Sequence, residues 1–130
     1  MPKSILVMNA DRNEFRDISA LLARKDYTAH LVESPAELRQ RLEASSFVAV
    51  LMDIDSALVD NRAIRELASE FPGVPFLCLS KDSFHPELKD AISLHIYACL
   101  NKPIDPDELF YWLKCIQEDD RSPKGIIDSK

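Results

Sequence analysis

The feature that most constrains this chain is the recurrence of five short apolar runs, each followed by a stretch with helical spacing. The runs are Ile5 to Met8, Thr28 to Val32, Phe47 to Met52, Phe76 to Leu79 and Ile96 to Leu100. They are rich in β-branched and long aliphatic residues and read as strands. Between them, Phe15, Ile18, Leu21 and Leu22 form one helical stripe, Leu38 and Leu42 a second, and Ile64, Leu67 and Phe71 a third. Leu109, Trp112, Leu113 and Ile116 make the inward stripe of a last helix, with Tyr111 and Cys115 four apart on a neighbouring face.

Helix boundaries are signed in the sequence. Ser34-Pro35-Ala36-Glu37 and Asp105-Pro106-Asp107-Glu108 each place a capping side chain before an N1 proline, with a carboxylate at N3. His85-Pro86-Glu87 marks a further start before Leu88, Ala91 and Ile92, and Phe71-Pro72-Gly73-Val74-Pro75 ends the third helix. Strict alternation of strands and helices predicts an α/β fold with right-handed crossovers and a parallel sheet covered on both faces. The run VAVLM before Asp53 is apolar without interruption, as a strand buried on both sides must be, so it is expected at the sheet centre.

At 130 residues the chain is the size of one domain with one core. Residues 1–118 are expected to form it. Residues 119–130 are polar apart from Ile126 and Ile127 and read as a tail or linker. Lys and Arg number 16 against 22 acids, and no basic block offers a footprint for a phosphate backbone, so direct nucleic-acid binding is not expected. No apolar run approaches the length of a signal core or membrane span. Cys78, Cys99 and Cys115 are odd in number, lack metal-ligand spacing and lie in apolar stretches, which fits small buried hydrophobes in a reducing, cytoplasmic setting. His30, His85 and His95 show no metal-ligand spacing either.

In an open parallel sheet, ligands gather beyond the carboxyl ends of the strands. The residues to inspect are therefore Asn9, Ala10 and Asp11 after the first strand and Asp53 and Asp55 after the third. Ser80, Lys81 and Asp82 follow the fourth, and Asn101, Lys102 and Pro103 the fifth. A small hydrolase is disfavoured, because there is no nucleophile elbow and two glycines leave no phosphate-cradling loop.

The order of these pieces resembles the receiver domains of two-component response regulators, over about Lys3 to Gln117. The resemblance is carried by ILVM followed by a polar triplet, LMDI with Asp53, FLCLS ending at Ser80, and NKPIDPDEL around Lys102. It implies a flavodoxin-like (βα)5 fold, a doubly wound parallel five-stranded sheet in the order 2-1-3-4-5. It further implies a signalling domain rather than an enzyme, with Asp53 as phosphoacceptor, Ser80 as the hydroxyl that meets the phosphoryl group and Lys102 as the cation that bonds it. A sensor histidine kinase or phosphotransfer protein would be the partner. The surface of the last two helices and fifth strand would be a candidate homodimer face. An aspartate attacks a phosphoryl donor only when positive charge neutralises the transferred oxygens, a task that a lysine and Mg2+ can share.

Three departures bear on that task. Where receivers usually carry two acids after the first strand, this chain has Asn9 and Ala10, so magnesium binding is expected to be weak. Asn9, Asp11, Asp53 and Asp55 are the candidate ligands that remain. The loop after Asp53 has neither the proline nor the glycine common in the family, and Cys99 stands where many members place a switching aromatic ring. Two functional expectations follow. One is a receiver phosphorylated on Asp53 with weakened magnesium dependence. The alternative is a degenerate pseudo-receiver, a phosphorylation-independent interaction module with Asp53 paired to Lys102.

Overall fold

The computed structural model describes residues 3–55, 61–81 and 96–119. In chain order these form β1 (Lys3–Met8), α1 (Arg12–Ala23), β2 (Tyr27–Val32), α2 (Pro35–Ala44) and β3 (Ala49–Asp53). They continue with α3 (Asn61–Glu70), β4 (Phe76–Ser80), β5 (Ala98–Asn101) and α4 (Pro106–Asp119). The helix expected from His85 to Ile92, the loop at Ser56 to Leu58, the residues His85 and His95, and the tail beyond Asp119 lie outside the described residues.

The five strands make one sheet in the order β2-β1-β3-β4-β5, all pairs parallel, which is the expected doubly wound flavodoxin-like topology. β3 lies between β1 and β4 and is buried at every residue, as its unbroken apolar run required. Alternate strand residues enter opposite layers. Leu6, Met8, Val50, Met52, Phe76 and Cys78 pack with Leu38 and Leu42 of α2 and Ile64 and Leu67 of α3. Ile5, Val7, Leu51, Leu77, Leu79 and Leu100 pack with Ile18 and Leu22 of α1 and Leu109, Leu113 and Ile116 of α4.

The signed helix starts form as expected. Ser34 Oγ accepts from the Glu37 N–H at 3.1 Å, and Asp105 Oδ1 accepts from the Asp107 N–H at 3.0 Å. Strand ends differ from the apolar runs by one or two residues because pairing, not apolarity, ends a ladder. β3 begins at Ala49, the partner of Ile5, while Phe47 packs edge-on to His30 at 5.8 Å. Asp53, Ser80 and Asn101 are polar yet belong to their strands, since Asp53 pairs with Leu79 and Ser80 with Asn101.

Two packing expectations are corrected. Of the cysteines only Cys78 is buried; Cys99 is exposed and Cys115 half-buried, because β5 is an edge strand and Cys115 lies off the inward stripe of α4. Trp112 is partly buried at the core margin, with Tyr97 and Tyr111 edge-on to it at 5.9 and 5.2 Å.

Candidate functional site

Parallel strands bring their carboxyl ends to one edge, and there the chain places Asn9, Asp53, Asp55, Ser80 and Lys102. Their backbones are tied into the sheet's continuation. The Asn9 N–H donates to Val32 O at 3.1 Å, the Ile54 N–H to Leu79 O at 3.1 Å and the Lys102 N–H to Ser80 O at 2.9 Å. The Lys102–Pro103 peptide is cis.

Lys102 Nζ lies 2.5 Å from Asp53 Oδ2, 3.2 Å from Glu14 Oε1 and 3.7 Å from Asp55 Oδ2. Asn9 Nδ2 donates to the first two of these carboxylates, at 3.0 Å to Asp53 Oδ2 and 2.9 Å to Glu14 Oε1. The other Asp53 oxygen, Oδ1, accepts from the Asp55 N–H at 2.9 Å. Asn9 and Asp53 have no exposed surface. A buried carboxylate needs this much bonding to stay charged. Burial pushes the Asp53 carboxyl upward, but its bonds from Lys102 and the Asp55 N–H hold it below the usual carboxylate range. Burial likewise opposes the Lys102 ammonium, and its bonds to Asp53 and Glu14 more than offset this, so it is held above the usual lysine value.

The expected site residues divide into three groups. Asp53 and Lys102 meet directly, as their resemblance to the phosphoacceptor and lysine of receivers implied. Ser80 and Asp55 pair beside them: Ser80 Oγ donates to Asp55 Oδ1 at 3.2 Å, and the Lys81 N–H donates to Asp55 Oδ2 at 2.7 Å. Asp11 is placed elsewhere, because its Oδ1 caps α1 by accepting from the Asn13 and Glu14 N–H groups at 2.9 and 3.2 Å. Glu14 is the residue that reading the strand ends missed. Its signal was the spacing Asp11-x-x-Glu14, an N-cap with an acid at N3, which puts a carboxylate on the first turn of a helix rising beside the strand edge. Glu14, Asp17 and Lys102 also form the polar wall of a cavity of about 300 Å³ whose apolar lining includes Ile18, Leu21, Leu79 and Ile104.

The donor set does not fit a divalent cation. Asn9 Oδ1 accepts from the Asp11 N–H at 2.7 Å, and a backbone N–H can only donate, so the Asn9 amide must turn its NH2 toward Asp53 and Glu14. A hydrogen-bond donor therefore faces the carboxylates where a metal would need an oxygen. The positive charge there is the Lys102 ammonium. Among the described residues no group of three acidic, histidine or cysteine side chains is arranged to hold a metal ion.

Fold and strand-edge geometry define the class, and solved structures agree. The chain is similar to the receiver domain of an HD domain-containing protein from Pseudomonas fluorescens Pf-5, with TM-score 0.80 and 20% identity over 92% of this chain and 90% of that one. It is similar to a CheY-like response regulator receiver domain protein from Methanospirillum hungatei JF-1, with TM-score 0.80 and 17% identity over 93% and 98%. A third likeness is the receiver domain of a sensor histidine kinase from Pseudomonas aeruginosa PAO1, with TM-score 0.75 and 22% identity over 94% and 100%. That structure has a magnesium ion coordinated in its active-site cleft. No curated protein matches the chain. The fold is thus that of a response-regulator receiver domain. Within that class, the chain belongs to the family of the flagellar regulatory protein FleQ, whose model matches residues 4–118.

Proposed function

We propose that this chain is a receiver-fold regulatory module of flagellar regulation that signals by binding protein partners, with Lys102 holding its pocket in place of a metal ion. The observation that carries this reading is the state of Asp53: fully buried, with Oδ2 bonded to Lys102 and Asn9 and Oδ1 bonded to the Asp55 N–H. An aspartyl nucleophile must present an oxygen to the phosphoryl donor, and the transferred oxygens need positive charge beyond one lysine. Here the lysine is shared among carboxylates and the amide of Asn9 faces inward.

Convergence of Asp53, Ser80 and Lys102 on one edge favours a second reading, in which a sensor histidine kinase or phosphotransfer protein phosphorylates Asp53 with weak Mg2+ support from Asn9 and Asp55. Incubation with a small acyl phosphate, with and without magnesium, followed by intact-mass measurement separates the two. The first reading expects no adduct, with or without magnesium. An adduct on Asp53 establishes the second. For either, the candidate homodimer face is that of the last two helices and fifth strand, of which β5 and α4 lie among the described residues with Tyr111 59% exposed beside Trp112, and Tyr111→Glu should shift sedimentation toward monomer.

A further inference from the structure

The far side of the sheet from β1 carries a second pair of reactive groups. Cys78 of β4 and Cys99 of β5 are register partners in a parallel ladder, so both side chains leave the sheet on the same face. Their Cα atoms are roughly 4.8 Å apart, the spacing of hydrogen-bonded strands, which lies within the span of a disulfide. The next pair, Leu79 and Leu100, enters the opposite layer with α1 and α4. Access differs between the two thiols: Cys78 is fully buried and Cys99 is exposed, and both are free.

Their acidities differ in the same sense. A hydrogen bond from Cys78 lowers the Cys99 thiol, against the opposing effect of burial, while the same bond together with burial pushes Cys78 up. Cys99 is thus the member that ionises, with the Cys78 S–H as its donor, and an accessible thiolate is what oxidants attack.

We propose that Cys78 and Cys99 are a reversible oxidation site, in which a peroxide enters through Cys99 and Cys78 closes an intrachain disulfide between β4 and β5. The Cys99 thiolate attacks one peroxide oxygen and the O–O bond breaks. With hydrogen peroxide this leaves a sulfenic acid on Cys99 and releases hydroxide, the sulfur giving up two electrons. The Cys78 thiol passes its proton to that hydroxide and its sulfur attacks Cys99 Sγ. The S–O bond breaks, and the hydroxide so displaced leaves as water after taking a proton from solvent. The bond closes across one rung of the ladder, and a thiol reductant reopens it by exchange. Lys102 follows Cys99 by three residues and its N–H is bonded to Ser80 O of β4, which connects this site to the pocket edge. The proposal stands apart from the reading of Asp53.

The full chain is treated with excess hydrogen peroxide, alkylated and mapped by mass spectrometry without reduction. The expected result is a loss of two hydrogens and a peptide pair joining Cys78 to Cys99, restored by dithiothreitol and unaltered in Cys115→Ser. Cys78→Ser should leave a sulfenic acid on Cys99 that dimedone captures, and if that buried substitution prevents folding, the wild-type map decides alone. Oxidation confined to Cys115, a Cys99 link between two chains, or over-oxidation of Cys99 with Cys78 still free each overturns the proposal.

Discussion

Two ion-pair networks in this molecule have nearly the same contact distances and opposite surroundings. On the outer face of α2 and α3, Arg39 Nε lies 2.6 Å from Glu70 Oε1 and Arg62 Nε 3.0 Å from Glu66 Oε2, with Arg39 and Glu70 side chains 33% and 47% exposed. At the strand edge, Lys102 and Asp53 meet at 2.5 Å with 12% and 0% exposed. Distance alone would rank them equal. Solvent separates them: the surface pairs are screened and free to exchange for water, whereas each charge in the pocket depends on its partner to stay charged.

The largest expected effect is therefore from Lys102→Met, which leaves Asp53 buried without its cation and should cost about 3 to 5 kcal/mol in urea denaturation. A loss below about 1 kcal/mol, the range of exposed pairs, would break the comparison. Next comes pH. Asp53 is held below its unfolded value, so its contribution is complete above about pH 4 and is lost as pH falls through the lower folded value. Lys102 is held above its unfolded value, so its contribution is complete below about pH 10 and is lost only as pH rises through the higher folded value. The pocket's share of stability should be level between those limits. In Lys102→Met the acid limb should move to higher pH, because Asp53 then loses the bond that favours its charge.

Smaller effects sharpen the contrast. Glu14→Gln removes one charge from Lys102 but keeps an acceptor oxygen, and should cost about 1 kcal/mol. If thermal melts show a loss as large as that of Lys102→Met, Glu14 rather than Asp53 is the principal anchor of the lysine. Arg39→Ala should cost less than about 1 kcal/mol, and the difference should shrink further in high salt. Salt-independent destabilisation there would show that the outer network is structural after all.

Much of this architecture could be read from residue order. Alternating runs specified the layers, VAVLM marked the central strand, and Ser34 and Asp105 announced their helices because capping is local chemistry. Asp53 and Lys102 were legible as neighbours because topology brings strand ends together. Glu14 was not, since its place depends on how α1 rises from its Asp11 cap, and Asp11 read as a candidate ligand because an acid after a strand serves either purpose. Cys99 read as buried because apolar neighbours say nothing about whether a strand lies at an edge.

The central claim is that the Lys102 ammonium does the work of a metal ion beside Asp53. A magnesium titration followed by backbone amide shifts of Asn9, Asp53, Asp55 and Lys102 measures this directly. No saturable movement of these resonances is expected up to tens of millimolar. Saturable, concerted shifts of Asp53 and Asn9 at low millimolar magnesium would contradict it.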